Sequence, residues 1–329
     1  MKKLLLSAVC GLALCGSAVA ADMTLRASHQ WPGGKGDVRD EMVQLIGKEL
    51  QKADVGLTLQ VFPGESLFKA KDQWGAVTKG QIDITAFPLD YASGRHPSFS
   101  ATLMPGLVGS HERAARLNDS PFMKDIKAEI EKAGAIVLSD AWLAGGFVSS
   151  KECITSPETA KGQVLRAAGP AFEEMLVGAG ASISSMPSSE IYTGMQQNVL
   201  TGANTSSGSL VSYRIYEVAK CLTAPGENAL WFMYEPILMS KRSFERLDDK
   251  QKEAVMAAGK VAQDYFAGEA KDLDQKLVDV YKENGVEVTT MSKENYDAWL
   301  KIAKETSYKE FAKKVPNGQK LIDEALAVE

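Results

Sequence analysis

The sequence predicts an α/β fold of two lobes, with strands that cross between the lobes at a hinge and a long C-terminal helix. Three observations predict it. A β-α-β-α-β alternation runs over residues 23–88 and returns over 162–206. Such alternation implies parallel sheets with helix-covered faces. About 310 residues follow the N-terminal leader, more than one core comfortably organises. A crossing strand with a turn-rich entry at 146–162 and an apolar extended stretch at 227–244 stand where the chain would pass from one lobe to the other.

The elements read as follows. Lys2 and Lys3, the apolar run "LLLSAVCGLAL" and Ala18-Val19-Ala20 form a cleavable export signal over residues 1–20. Cys15 is preceded by "LAL", without the small residue a lipid anchor wants, so simple cleavage before Ala21 is expected. Residues 23–31 alternate as a strand, 37–53 carry Met42, Leu45, Ile46 and Leu50 at helical spacing, and 55–63 alternate again before Pro63. A helix over 67–80 closes at Gly80, and 82–88 is a short strand. In the second block 162–168 is a strand and 170–180 a helix. There Pro170 takes the first turn, and Glu173 and Glu174 favour the positive end of the dipole. A strand over 181–186 stops at Pro187. A helix over 188–199, capped by Ser188, leads into extended 200–206. Residues 247–285 form a long helix in which Gly259 or Gly268 is a place to bend, followed by a strand at 286–291 and a helix over 293–315. The expected division is 21–147 with about 232–270 in the first lobe, and 148–231 with about 271–329 in the second.

Net charge is −5; the leader holds two lysines and no acid, so the exported chain stands at −7. With no basic block, nucleic acid is excluded as a partner. Cys10 and Cys15 leave with the leader, and the remaining pair, Cys153 and Cys221, reads as a disulfide in an exported protein. The alternative is two buried free thiols. His29, His96 and His111 are scattered, so no metal site is expected. A nucleophile elbow, a phosphate loop, H-E-x-x-H and C-x-x-C are all missing. Gly34-Lys35-Gly36 lacks the third glycine of a dinucleotide fingerprint. Neither catalysis nor a cofactor is expected.

Binding is the better reading. Ligands of open α/β sheets sit outside the carboxyl ends of the strands. Arg166 ends the strand in "KGQVLRAAGPAFEEML", where its planar fork can grip a carboxylate at any relevant pH, although such a residue can also be a surface ion-pair partner. The "NTSSGS" run offers Asn204, Ser206 and Ser207 as a neutral hydrogen-bonding wall. Trp74 and Trp231 are candidates for an apolar lining, Arg95 for a second positive group, and His29 for a hydrogen bond at the end of the first strand.

The segment 161–207 resembles the solute-binding proteins of tripartite ATP-independent periplasmic (TRAP) transporters, the DctP-like family. Arg166, Gly180-Ala181, Met186-Pro187, Ser189-Glu190, Tyr192 and Gln196 fall on the family's pattern, as do "AVTKGQIDI" and "FMYEPILMSKRSFERL" elsewhere. The resemblance implies a periplasmic-binding-protein-like fold that closes over a small organic anion, with Arg166 on its carboxylate. It implies TRAP permease membrane subunits as partners and the periplasm as the location. The chain departs from the pattern after Gln196. Thr201 precedes Gly202 where many members carry Asp, and "ANTSSGS" replaces Asn-Pro, so Asn204 is an approximate match. The ligand is therefore expected among aromatic, keto or hydroxy acids and dicarboxylates. A sensor protein serving a membrane receptor and an exported organic-acid enzyme are the alternative functions.

Overall fold

Among the described residues, 23–329 of a computed structural model, the strands form two sheets; the export signal expected over 1–20 lies outside them. The strands are β1 (Met23–Ser28), β2 (Leu57–Phe62), β3 (Ile84–Ala86), β4 (Ala135–Ser139), β5 (Trp142–Ser149), β6 (Val164–Ala167), β7 (Ser182–Ser185), β8 (Gly202–Ser206), β9 (Cys221–Ala224), β10 (Trp231–Tyr234), β11 (Ile237–Ser240) and β12 (Glu287–Thr290). The first sheet has the order β2-β1-β3-β11-β4 and the second β12-β9-β5-β8-β6-β7, with β10 against β5. β1 runs parallel to β2 and β3, and β6 parallel to β7 and β8. Each parallel core therefore has one edge where strand ends and helix starts gather, and the two edges face each other across the molecule.

The chain passes between the sheets at Asp140-Ala141 and again at Glu235-Pro236. These passages are tied together, since the Glu235 amide donates to the Ala141 carbonyl at 2.8 Å. The helix Asp249–Glu283 makes a third passage. Asp248 and Gln251 cap it reciprocally, Gln251 Nε2 reaches the Val55 carbonyl beside the first sheet, and Tyr281 donates to Leu210 beside the second. It runs unbroken through both glycines expected to bend it. Gly259 serves close packing instead: a Cβ there would lie 2.4 Å from the Leu138 carbonyl oxygen of β4. Ser139 fixes the approach by donating to the Gly259 carbonyl at 2.6 Å.

Other elements shift from expectation for local reasons. The helix of 67–80 shrinks to Gln73–Thr78 behind a 3₁₀ turn, and the chain turns away from it through Gly80 with φ +70°. Ser188 caps nothing: it opens a 3₁₀ turn before the helix Ile191–Gln196, and its hydroxyl turns toward Gln30. The helix of 293–315 is interrupted by a π turn at Lys304–Tyr308, where Ser307 donates to the Ala171 carbonyl. Beyond it Tyr308 bonds the Pro105 carbonyl, and the helix Gly318–Leu326 packs on the helix Pro121–Ala133, with Lys320 paired to Asp125.

Cys153 and Cys221 form the expected disulfide, joining the loop after β5 to the start of β9 across a sequence separation of 68. Closing so long a loop removes considerable freedom from the unfolded chain. Replacing both cysteines by serine is expected to lower unfolding free energy by about 2–3 kcal/mol. Urea unfolding at equilibrium measures this, and an unchanged midpoint would refute it.

Candidate functional site

Arg166 lies between the two facing edges, 1% exposed. β6 is an interior strand between β8 and β7, and Tyr91 of the first lobe covers the guanidinium. Its Nε donates to the Met186 carbonyl at 2.9 Å, Nη1 to the Asn204 carbonyl at 2.8 Å and Nη2 to the Tyr91 hydroxyl at 3.0 Å. All three acceptors are neutral. No ion pair to a carboxylate of the described residues accompanies them, and one N–H on each Nη is left over.

Asn204 sits beside it on β8 with no exposure, and neither its amide nitrogen nor its amide oxygen has a protein partner. His29 is buried at the end of β1, its Nε2 3.0 Å from Asp40 and its Nδ1 unpartnered. Other candidates serve different ends. Ser206 caps the helix Ser207–Ser212 and accepts from Arg39. Ser207 turns to the long helix, donating to Asp274 at 2.5 Å and to the Ala144 carbonyl at 3.2 Å. Trp74 packs among Phe87, His96 and Phe99 inside the first lobe, because that aromatic cluster buries its whole ring. Trp231 is buried on β10 against Gly145, whose missing side chain makes room for the indole. Arg95 is exposed, with its guanidinium near Gly75.

Sequence reasoning missed the groups the first lobe sends across. Tyr91 lies within a 3₁₀ turn, Leu89–Ala92, that has no periodicity, and its hydroxyl accepts from Arg166 at 3.0 Å and from the Ser188 amide at 2.9 Å. Its own proton has no acceptor among the described residues. Tyr91→Phe is expected to weaken ligand binding roughly tenfold, since both donors lose a partner. Titration calorimetry reads this, and equal affinity would exclude a role for the hydroxyl.

Arg39, in the first turn of the helix Val38–Ala53, is the second buried guanidinium. It takes Asp37 bidentately at 2.9 and 2.7 Å and lies over the Trp31 ring at 4.3 Å. Its Nη1 reaches Ser206 and Ser209 at 3.0 Å each and Glu235 at 3.2 Å. Tyr213 adds a bond from the second lobe to the Gln30 carbonyl at 2.9 Å. The signal for Arg39 was the Asp37-x-Arg39 pair after a glycine-rich loop, which looks like an ordinary capped helix.

The acids here are unequal. Burial opposes ionisation of Asp37, but the Arg39 charge and hydrogen bonds hold its carboxyl below the usual range. Burial pushes Asp90 up to about 7 against the Ser93 hydrogen bond, and Glu235 up to about 7 against Arg39. Both keep protons that the unfolded chain releases. Their contribution to stability is thus full below pH about 4 and is lost as pH rises through about 7. The double variant Asp90→Asn/Glu235→Gln should remove that decline. Melting curves from pH 4.5 to 8 test this, and a constant offset from the parent would contradict it.

Comparison with known proteins agrees with this geometry. Residues 33–314 match the model of bacterial extracellular solute-binding protein family 7, DctP. A solute-binding protein of Albidiferax ferrireducens is 36% identical over 309 residues, covering 93% of this chain and 91% of that one. The 2,3-diketo-L-gulonate-binding periplasmic protein of Escherichia coli is 25% identical over 292 residues, covering 86% and 85%. The crystal structure of a TRAP periplasmic solute-binding protein from Rhodoferax ferrireducens, with bound malonate, superposes with a TM-score of 0.88 at 35% identity, covering 92% of this chain and 96% of that one. These are binding proteins and not enzymes. A two-lobed α/β fold meeting around a buried arginine, with a family match over most of its length, makes this chain a member of bacterial extracellular solute-binding protein family 7.

Proposed function

We propose that the protein captures a small organic carboxylate between its lobes in the periplasm and delivers it to TRAP permease subunits in the membrane. The observation that carries this reading is Arg166, a guanidinium 1% exposed and bonded only to neutral acceptors. A buried guanidinium with no carboxylate bonded to it is costly, and an anionic ligand relieves that cost. The Rhodoferax relative holds malonate, and the Escherichia coli relative is named for a sugar-derived acid. Both are small carboxylates.

The mechanism follows from the two edges. Ligand enters while the lobes are apart, and its carboxylate meets the free N–H groups of Arg166. As the lobes approach, Tyr91 arrives from the first lobe and turns its unclaimed proton to the same group. Closure expels water and strengthens the ion pair. Ligand thereby biases a two-state equilibrium toward the shape the permease reads. The moving units divide at Asp140-Ala141 and Glu235-Pro236, and the export signal supplies the route to the periplasm. Mass spectrometry of ligand released from purified protein, with thermal-shift screening of carboxylates, tests the reading. A neutral released ligand, together with no stabilisation by any carboxylate, would sink it.

A further inference from the structure

The relatives leave the ligand's far end open, since one holds a diacid and another is named for a keto acid. Resting on the carboxylate reading above, we infer that this site takes a monocarboxylate bearing an uncharged hydrogen-bonding group, such as a hydroxyl, keto or amide, and discriminates against dicarboxylates.

The argument is an accounting of buried cations and free polar atoms. Two guanidinium groups are buried where the lobes meet. Arg39 is consumed by the protein. Its Nε and Nη2 hold Asp37, its Nη1 holds Ser206, Ser209 and Glu235, and Ser212 lies 3.5 Å from Nη2. Five N–H groups thus already face that many acceptors or more. Arg166 is the guanidinium with donors to spare and no carboxylate bonded to it, so the site offers direct charged hydrogen bonds to one carboxylate.

What surrounds Arg166 is neutral or acidic. Asn204, whose backbone carbonyl Arg166 already grips, offers an amide N–H₂ donor and an amide oxygen acceptor, both buried and unclaimed. The Gln30 amide nitrogen is likewise buried and unclaimed, while its oxygen lies 3.4 Å from the Ser188 hydroxyl. A run of contacts, Arg166–Tyr91–Ser188–Gln30, links that residue to Arg166. An amide presents both a donor and an acceptor, which suits a hydroxyl or carbonyl. A second carboxylate would satisfy the donors, leave the Asn204 oxygen facing a like partial charge and find no cation. Asp90, with an unpartnered buried Oδ2, and Glu235 add repulsion whenever they ionise. A site with buried amides discriminates strongly, because an unmatched polar group there costs its full desolvation.

The test uses ligands matched in shape and different in charge. Malonate, succinate and glutarate are compared with their half-amides, malonamate, succinamate and glutaramate, alongside lactate, pyruvate and pyroglutamate. Titration calorimetry at pH 7.5 is run on the unaltered protein and on Arg166→Ala. The tightest ligand is expected to be a monocarboxylate, and each half-amide that binds should beat its diacid at least tenfold. Asn204→Asp, which keeps the shape and adds a negative charge, should weaken the best monocarboxylate by tenfold or more. A diacid that binds as tightly as its half-amide and loses affinity in Arg166→Ala, or a diacid released from the purified protein, overturns the inference and leaves the carboxylate reading standing. Binding that ignores Arg166→Ala, or no binding by any acid in the panel, overturns both.

Discussion

Arg166→Ala is expected to lower affinity for the carboxylate ligand by roughly 30- to 5,000-fold, the equivalent of about 2–5 kcal/mol for a buried charged hydrogen-bond partner. The variant removes the one guanidinium in the cleft with free donors. It leaves the Met186 and Asn204 carbonyls short of a donor, which the smaller side chain lets water repair. The melting temperature of the ligand-free protein should therefore move little, while the ligand-induced rise disappears. Arg166→Lys restores the charge without the planar fork and should recover only part of the affinity. Calorimetry together with thermal shift separates these effects. An Arg166→Ala protein that still melts higher with ligand would disprove the assignment.

Gly169→Ala is expected to block closure. Gly169 has φ −176°, extended backbone that alanine adopts freely, so the substitution strains no torsion. Its Cβ would nevertheless stand 1.7 Å from Oδ2 of Asp90, a residue of the other lobe. Asp90 is held by Ser93 at 2.9 Å and is buried, so it has no easy retreat. Overpacking of this kind costs about 1–3 kcal/mol or more, and it acts only when the lobes meet. Affinity should fall roughly 100-fold at the upper end of that range, with the ligand-free melting temperature unchanged. Small-angle scattering should show the parent contracting with ligand and the variant not. Asp90→Ala/Gly169→Ala should close again, because the clashing carboxyl is gone. Undiminished affinity in the single variant would remove this contact from the closing motion.

The sequence made Arg166 legible because two local facts coincided: a strand end and an abrupt Gly-Pro helix start. Patterns of period 2 and 3.6 likewise exposed the parallel blocks and the long helix, since each buries one continuous face. Arg39 and Tyr91 were not legible, for opposite reasons. Arg39 sits among Asp37, Asp40 and Glu41 in what reads as a solvated helix start, and its burial comes from Ser206 and Ser209, more than 160 positions away. Tyr91 follows Asp90 in a 3₁₀ turn with no period to read. Residues 89–103 were unread for that cause, being two 3₁₀ turns, whereas the helix Pro121–Ala133 carries its period openly in Phe122, Met123, Ile126 and Ile130 behind the Ser120 cap. Trp74 illustrates the converse. A large aromatic on a short helix looks available to a ligand, but Phe87, Phe99 and His96 enclose it. Gly259 looked like a bend and is a contact, because sequence shows a missing side chain and not what fills its place.

The grip of Arg39 on Ser206, Ser209 and Glu235 has a kinetic consequence. None of these bonds involves the ligand, yet those to Ser206 and Ser209 must break before the lobes part. The time a captured molecule stays aboard is then governed partly by residues that never touch it. Chemical recognition and dwell time can be tuned separately, the first at Arg166 and Asn204, the second at Arg39. A membrane partner that draws Ser206 and Ser209 away from Arg39 would unload the cargo without competing for its carboxylate.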